Sequence, residues 1–214
     1  MAVHSRVERL EDDGSLTPFA GRAQPMQGVT PRQVIEEGRH LIGASMGWSR
    51  ALFETFGPLG AAPLVEDRPI AFRASLIGEV AWVDRPLVLY RRGGASDPGE
   101  GGRPEDLGGL YGYQLLRRRW RRSFLQSYLA DMETVAPPDA ETCREICRRG
   151  IARLDFEIAL AETGLLGRLG ALPQAVALSA RLGSPAPIGA AFKYLLDTPY
   201  RAWRRLRRRR QMAG

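Results

Sequence analysis

Seventeen residues from Gly93 to Gly109, GGASDPGEGGRPEDLGG, place the tightest limit on what this chain can fold into. Nine of them are Gly or Pro, and Leu107 is the one large apolar side chain. Such a run loses too much backbone entropy on ordering, and lacks too many amide donors, to hold a helix or a buried strand. The chain therefore divides into a part with mixed strand and helix patterning, residues 1–96, a linker, 97–109, and a helical part, 110–214.

In the first part, Val3 to Phe19 reads as a strand-like piece with an Asp-Gly turn at Asp13-Gly14. Thr30-Pro31-Arg32-Gln33 is a helix start: Thr30 caps, Pro31 suits the first helical position and Gln33 completes a capping box. Gly38 ends that helix. His40 to Met46, HLIGASM, is short, apolar and small, which predicts a buried strand or a strand-to-loop passage. A short helix over Ser49 to Phe56 closes at Gly57-Pro58. Ile70, Ala71, Ala74, Leu76 and Ile77 form the apolar face of another helix, ended by Gly78. Val80–Val83 and Leu87–Tyr90, separated by Asp84-Arg85-Pro86, predict two strands with a tight connection.

Beyond the linker the spacing predicts a basic helix over Tyr113 to Met132 and a second helix started by Pro137-Pro138-Asp139. Cys143, Ile146, Cys147, Leu154, Ile158 and Ala161 share one face of the second. Helical pieces follow at Leu172–Leu182 and Ile188–Leu196, and Thr198-Pro199 can open a last one. The fold class expected is α/β, a mixed sheet with flanking helices followed by an α-helical extension.

The formal charge is +7, and Arg201 to Gly214 contains seven Arg and no acid, so Met1 to Tyr200 is formally neutral. The body thus has no excess charge to attract a polyanion. Two Cys supply no disulfide framework, which points to a reducing compartment. With no charged-then-apolar leader and no apolar run long enough to span a bilayer, the expectation is a soluble or peripheral cytoplasmic protein.

Several side chains are candidates for chemistry. Glu66-Asp67 stands directly before an apolar helix, so Asp67 can be a helix cap, a general base, or both. A helix N-terminus favours a charged carboxylate, which would lower the basicity of Asp67. Glu66 can orient Asp67 or stay solvated. Gly43-Ala44-Ser45 would let a ligand approach the backbone closely, or serve packing alone. Trp48 and Trp82 can stack on a sugar or base, or fill the core. Cys143 and Cys147 at i, i+4 read as small core residues, and His4 and His40 are isolated. Gln114 to Trp120 has a spacing unlike that of processive synthases.

Two longer stretches, GASMGWSRALFETFGPL (Gly43–Leu59) and VEDRPIAFRASLIGEVAWVDRPLVLYRRGG (Val65–Gly94), together resemble the acceptor-side half of family 2 glycosyltransferases of the GT-A fold. The shared features are a small-residue segment, a helix ending Phe56-Gly57, the Glu66-Asp67 pair, Arg73-Ala74 to Gly78, and Asp84 to Arg91. RVERLEDDGSLTPFAG also resembles the strand and turn that follow the metal motif, so the likeness runs over about Val3 to Ser96. It implies inverting transfer of a sugar from a nucleotide-sugar to a hydroxyl of a glycan or lipid-linked acceptor. Asp67 would be the base, with Glu66 beside it, and Gly43, Ala44, Ser45 and Trp48 would meet the acceptor. Arg91 or Arg92 could meet the diphosphate bidentately, or remain surface residues. The family uses a divalent metal, Mn or Mg. Its Asp-x-Asp ligands, the nucleotide pocket and the His that often follows the Tyr-Arg pair have no counterpart in this sequence, which implies a truncated transferase.

The helical remainder resembles nothing nameable. Its tail sets Tyr200, Trp203 and Leu206 at helical spacing among arginines, a composition that suits an anionic membrane, at the inner face of the cell membrane, or a solvated end. An inactive remnant acting as a peripheral membrane or binding protein is the alternative function. A nucleic-acid binder acting through the Arg tail, by strong and salt-sensitive non-specific attraction, is the third and lower-ranked function, and specific nucleic-acid binding is not expected, because no nucleic-acid fold accompanies the arginines.

Overall fold

A computed structural model describes residues 1–19, 25–60, 65–91 and 110–196. They form a mixed α/β structure, and the chain divides into two units, Met1–Arg148 and Arg149–Gly214.

The first unit is built on β1 (Ala2–Leu10). Ala2 and His4 are buried and Val3 is exposed, the alternation of a half-buried strand; Ser5 is buried as well, and the phase shifts there, so that Arg6 is exposed and Val7 buried. One edge of β1 is shared by two short antiparallel neighbours. β2 (Leu16–Pro18) pairs as Glu8↔Pro18 and Leu10↔Leu16, and β3 (Gly47–Trp48) pairs as Val3↔Gly47. The β1–β2 turn is the expected Asp-Gly turn: Gly14 has φ 83°, and Ser15 donates to Asp13 Oδ1 through its amide and hydroxyl at 2.9 and 2.6 Å.

The other edge pairs in parallel with β4 (Val80–Arg91), from Ala2↔Val80 to Leu10↔Arg91. β4 is one strand of twelve residues against nine in β1, not two strands with a turn. Register shifts after Ser5 and Arg6 absorb the surplus, and Pro86, which has no N–H to give, sits where the ladder is broken.

Between β1 and β4 the chain forms α1 (Pro31–Glu37), α2 (Ala51–Phe56) and α3 (Asp67–Ile77). The Thr30–Gln33 capping box opens α1 and Gly38, at φ 68°, closes it. The segment His40–Met46, expected as a buried strand or a strand-to-loop passage, holds a 3₁₀ turn at Gly43–Ser45. Ser45 fixes it: its hydroxyl donates to Ser5 O at 3.2 Å or Ile42 O at 3.3 Å, alongside the edge of β1.

Beyond residue 109, α4 (Leu110–Thr134) packs on α3 within the first unit. Phe72 stacks on Tyr128 with ring centroids 4.2 Å apart. Arg73 reaches across to Asp131. The first half of α5 (Ala140–Glu162) completes the unit and buries Cys143 and Cys147 fully. Burial pushes their thiols up to about 11 and about 12, so both are neutral core groups.

The second unit consists of the rest of α5, α6 (Leu165–Gly170), α7 (Leu172–Leu182) and α8 (186–196). Leu154, Leu160, Ala175, Leu182, Ala191 and Tyr194 are its buried apolar residues. Gly183, at φ 59°, caps α7, and Arg149 Nη2 donates to Leu182 O. The sequence pattern does not predict the short α6, because Gly167 inside it and Gly170 at its end weaken any helical signal. The expected linker and the Arg-rich tail lie outside the described residues. No helix among the described residues is long and apolar enough to cross a membrane.

Candidate active site

The start of α3 gathers the candidate residues. Glu66 occupies the N-cap position but makes no side-chain cap, and Asp67 is the first helical residue. The capping role considered for Asp67 is therefore not the one it plays. Its Oδ1 is buried and accepts no hydrogen bond.

That placement also reverses the expected direction of its acidity. The Asp67 carboxyl is pushed up to about 6, chiefly by burial. Arg68, through its charge and its amide, pulls the other way, and the Glu66 charge adds to the rise. Desolvation outweighs the favourable helix end because the unpaired oxygen has given up water without gaining a donor.

The 3₁₀ turn lies directly against this carboxylate pair. A methyl group on Gly43 would stand 2.8 Å from Glu66 Oε1 and 3.9 Å from Asp67 Cβ. Gly43 is thus glycine for close approach and not for backbone strain. Gly43 to Ser45, Glu66 and Asp67, separated by more than twenty residues in sequence, form one cluster.

Near it lie Arg68, which sequence reasoning did not single out, and His40, which it read as isolated. Arg68 Nη1 donates to Gly38 O at 3.3 Å, and His40 Nδ1 lies 3.1 Å from the same carbonyl. The start of α3 is thereby fastened to the end of α1. The Arg68 guanidinium also lies 5.5 Å from the centroid of the Phe124 ring of α4. Tyr128, one turn further along α4, is buried and its phenol is held above its ordinary range, first by burial and in part by the Asp67 charge. His4, expected to be isolated, is buried against Trp82 with ring centroids 4.6 Å apart. Neither of its ring nitrogens has a partner, and burial together with the nearby His40 lowers it to about 4. A proximity spanning α1, α3 and α4 leaves no signature in local sequence.

The other expected residues fall elsewhere. Trp48 is 44% exposed on β3 and tilts against Phe53 at 6.0 Å. Trp82 packs on His4. Arg91 is exposed at the end of β4 opposite Leu10, about 16 Å along β1 from the Ser5 carbonyl that Ser45 reaches. Arg92, Tyr200, Trp203 and Leu206 lie outside the described residues.

Among the described residues no group of three His, Cys, Asp or Glu side chains could hold a metal ion. The described residues therefore do not fit a divalent site. Comparison with family models, with curated proteins and with solved structures finds no match.

Proposed function

We propose that this chain carries the acceptor side of an inverting glycosyltransferase of family 2 type, with Asp67 as the general base. The observation behind this reading is the condition of one carboxylate: Asp67 is half-buried, with its Oδ1 enclosed and unpaired, and is raised to about 6, next to a glycine-lined approach. A group at that value is mostly ionised at pH 7, yet binds a proton about a hundredfold more readily than an ordinary aspartate. The parallel β1–β4 pair, with α3 leading into β4, supports a GT-A-like arrangement of this half.

In the reaction, the oxygen of an acceptor hydroxyl bonds to the anomeric carbon of a nucleotide-sugar. The bond from that carbon to the diphosphate breaks on the opposite face, and the nucleoside diphosphate leaves with the bonding pair. The hydroxyl proton passes to Asp67. Glu66 holds the acceptor hydroxyl, the Gly43–Ser45 backbone lets the acceptor approach, and the exposed face of Trp48 supports a sugar ring. The acceptor is a glycan or a lipid-linked saccharide of the kind used to build envelope polysaccharide.

The test expresses the full chain, or its Asp67→Asn variant, in its own cells and follows labelled sugar from nucleotide-sugars into lipid and polymer fractions. Incorporation from at least one donor is expected to rise with the chain, and Asp67→Asn is expected to remove that rise while staying folded, with a melting temperature no lower than the parent's. A response to no donor, or an equal response from the variant, overturns the reading.

A further inference from the structure

The proposed transfer gives Arg68 no part, yet α1 and α4 both hold its side chain. Arg68 follows Asp67 at the start of α3 and is half-buried. Its Nη1 donates to Gly38 O at 3.3 Å, where Gly38 ends α1 with φ 68°. A methyl group on Gly38 would lie 3.5 Å from the same nitrogen, so the guanidinium rests directly on that bend. On the α4 side the guanidinium lies 5.5 Å from the centre of the Phe124 ring. A carbonyl and a ring face orient a guanidinium without neutralising it, so its positive charge stays available to act nearby.

That charge falls on the base. Burial raises the Asp67 carboxyl, and the Arg68 cation is the largest influence pulling it back, with the Arg68 amide adding to the pull. Glu66 acts in the opposite sense. The buried Tyr128 phenol of α4 feels the same cation, together with Asp67 and Arg121, after the larger effect of its own burial. His40, whose Nδ1 lies 3.1 Å from Gly38 O, stands on the α1 side. An arginine free to turn beside an aspartate would pair with it, occupy its oxygens and pull the carboxyl below its ordinary range. Asp67 Oδ1 instead has no partner. The Gly38 carbonyl and the Phe124 ring account for the difference, because they hold the guanidinium off that oxygen.

We infer that Arg68 is the positioning residue of Asp67: a cation tethered between the end of α1 and α4, standing beside the carboxylate without closing on it. Its purpose rests on the sugar-transfer reading, whereas the coupling between the two side chains belongs to the folded chain itself. With no cation, a carboxylate at this depth would be protonated in a large share of chains near pH 7 and could not accept a hydroxyl proton. With an untethered one, Oδ1 would be taken and its basicity lost. The tether supplies the middle condition, a carboxylate that is charged at neutral pH and open.

The test titrates the full chain labelled with ¹³C at its aspartate carboxyls, the Asp67 signal being the one absent from Asp67→Asn. Its midpoint is expected at about 6 in the parent chain. Arg68→Gln is expected to raise it by about one pH unit, an about tenfold tighter hold on the proton. Arg68→Lys, which keeps the charge, is expected not to raise it. Arg68→Met, similar in length and uncharged, supplies the comparison if Arg68→Gln does not fold. In cell extracts, sugar incorporation by Arg68→Gln is expected to fall about fivefold at pH 6 and little at pH 8. An unmoved midpoint in a folded uncharged variant, or an equal rise in Arg68→Lys, would overturn the inference whether or not transfer occurs. The expected shift with no incorporation from any donor would overturn the transfer reading and leave the coupling standing.

Discussion

Gly43 faces Glu66 so closely that one added methyl group would lie 2.8 Å from its carboxylate oxygen. The atom in the way is the end of a flexible side chain, so Glu66 can move aside while the backbone stays. Gly43→Ala is therefore expected to change unfolding stability by less than about 1 kcal/mol, as surface-type substitutions do. The same substitution displaces the Glu66 carboxylate from beside Asp67. Loss of sugar transfer at unchanged urea midpoint is the expected pair of results, and a drop in the midpoint alone would make Gly43 a packing residue only.

His4 and Asp67 are expected to tilt the stability of the first unit in opposite directions with pH. The Asp67 carboxyl, raised from 3.8 to about 6, is protonated in both folded and unfolded chains below pH 4. Between about pH 4 and 6 the unfolded chain gives up this proton while the folded chain keeps it, so stability falls by roughly 2–3 kcal/mol across that window and levels off above it. His4, lowered from 6.5 to about 4, acts the other way. Below pH 6.5 the unfolded chain takes up a proton that folded His4 refuses, so stability falls as pH drops toward 4. Asp67→Asn should uncover the His4 slope and be more stable than the parent chain at pH 7.5. His4→Phe should uncover the Asp67 slope. Urea unfolding between pH 4 and 7.5 checks both, and parallel profiles for all three chains would refute the assignment.

Arg73 and Asp131 tie three helices into the frame that holds α3. Arg73 Nε and Nη2 donate to the Asp131 carboxylate at 3.0 to 3.1 Å, Nη1 donates to Gly57 O at 2.8 Å, and both side chains are 5% exposed. The guanidinium also lies 5.3 Å from the centre of the Phe56 ring. Burial raises the Asp131 carboxyl despite its partner. Removing one partner strands a buried charge, so Asp131→Ala is expected to cost about 3–5 kcal/mol. Arg73→Met with Asp131→Leu should recover most of that loss. A double-mutant cycle by urea unfolding reads the coupling, and additive losses would mean that the pair contributes little.

Much of this frame was legible because its determinants are local. Thr30-Pro31-x-Gln33, Gly38 and Asp13-Gly14 each satisfy or free backbone groups within a few residues, and each appears where its chemistry places it. Val80–Tyr90 misled because Pro86 ordinarily interrupts a ladder, and only the partner strand reveals that a bulge accommodates it. Gly43–Ser45 could be read as strand or as passage to a loop because its apolar surroundings suit either, and the Ser45 hydroxyl bond to Ser5 is long-range. The position of Asp67 at a helix start was readable, but the direction of its acidity was not. That direction depends on how much of α3 and α4 covers the carboxyl, and no local pattern encodes burial from a helix more than forty residues away. Arg73 and Asp131 were hidden for the same reason: two charges 58 residues apart look like solvated residues until packing brings them together.

The last expectation concerns the outer edge of β4. Among the described residues β4 pairs only with β1, and Leu87 and Leu89 on it are 59% and 54% exposed. They lie two residues apart, hence on one face, beside backbone donors and acceptors that no neighbouring strand takes up. An apolar edge of this kind recruits another strand, so the chain should self-associate through β4 as concentration rises. Leu89→Lys places a charge on that face without touching the core, and is expected to leave the urea midpoint within about 0.5 kcal/mol of the parent. Light scattering across a concentration series should then show the parent chain growing in mass while the variant does not. If both grow alike, the edge is covered by another part of the chain, and the exposed leucines of α6 and α8 become the next surface to substitute.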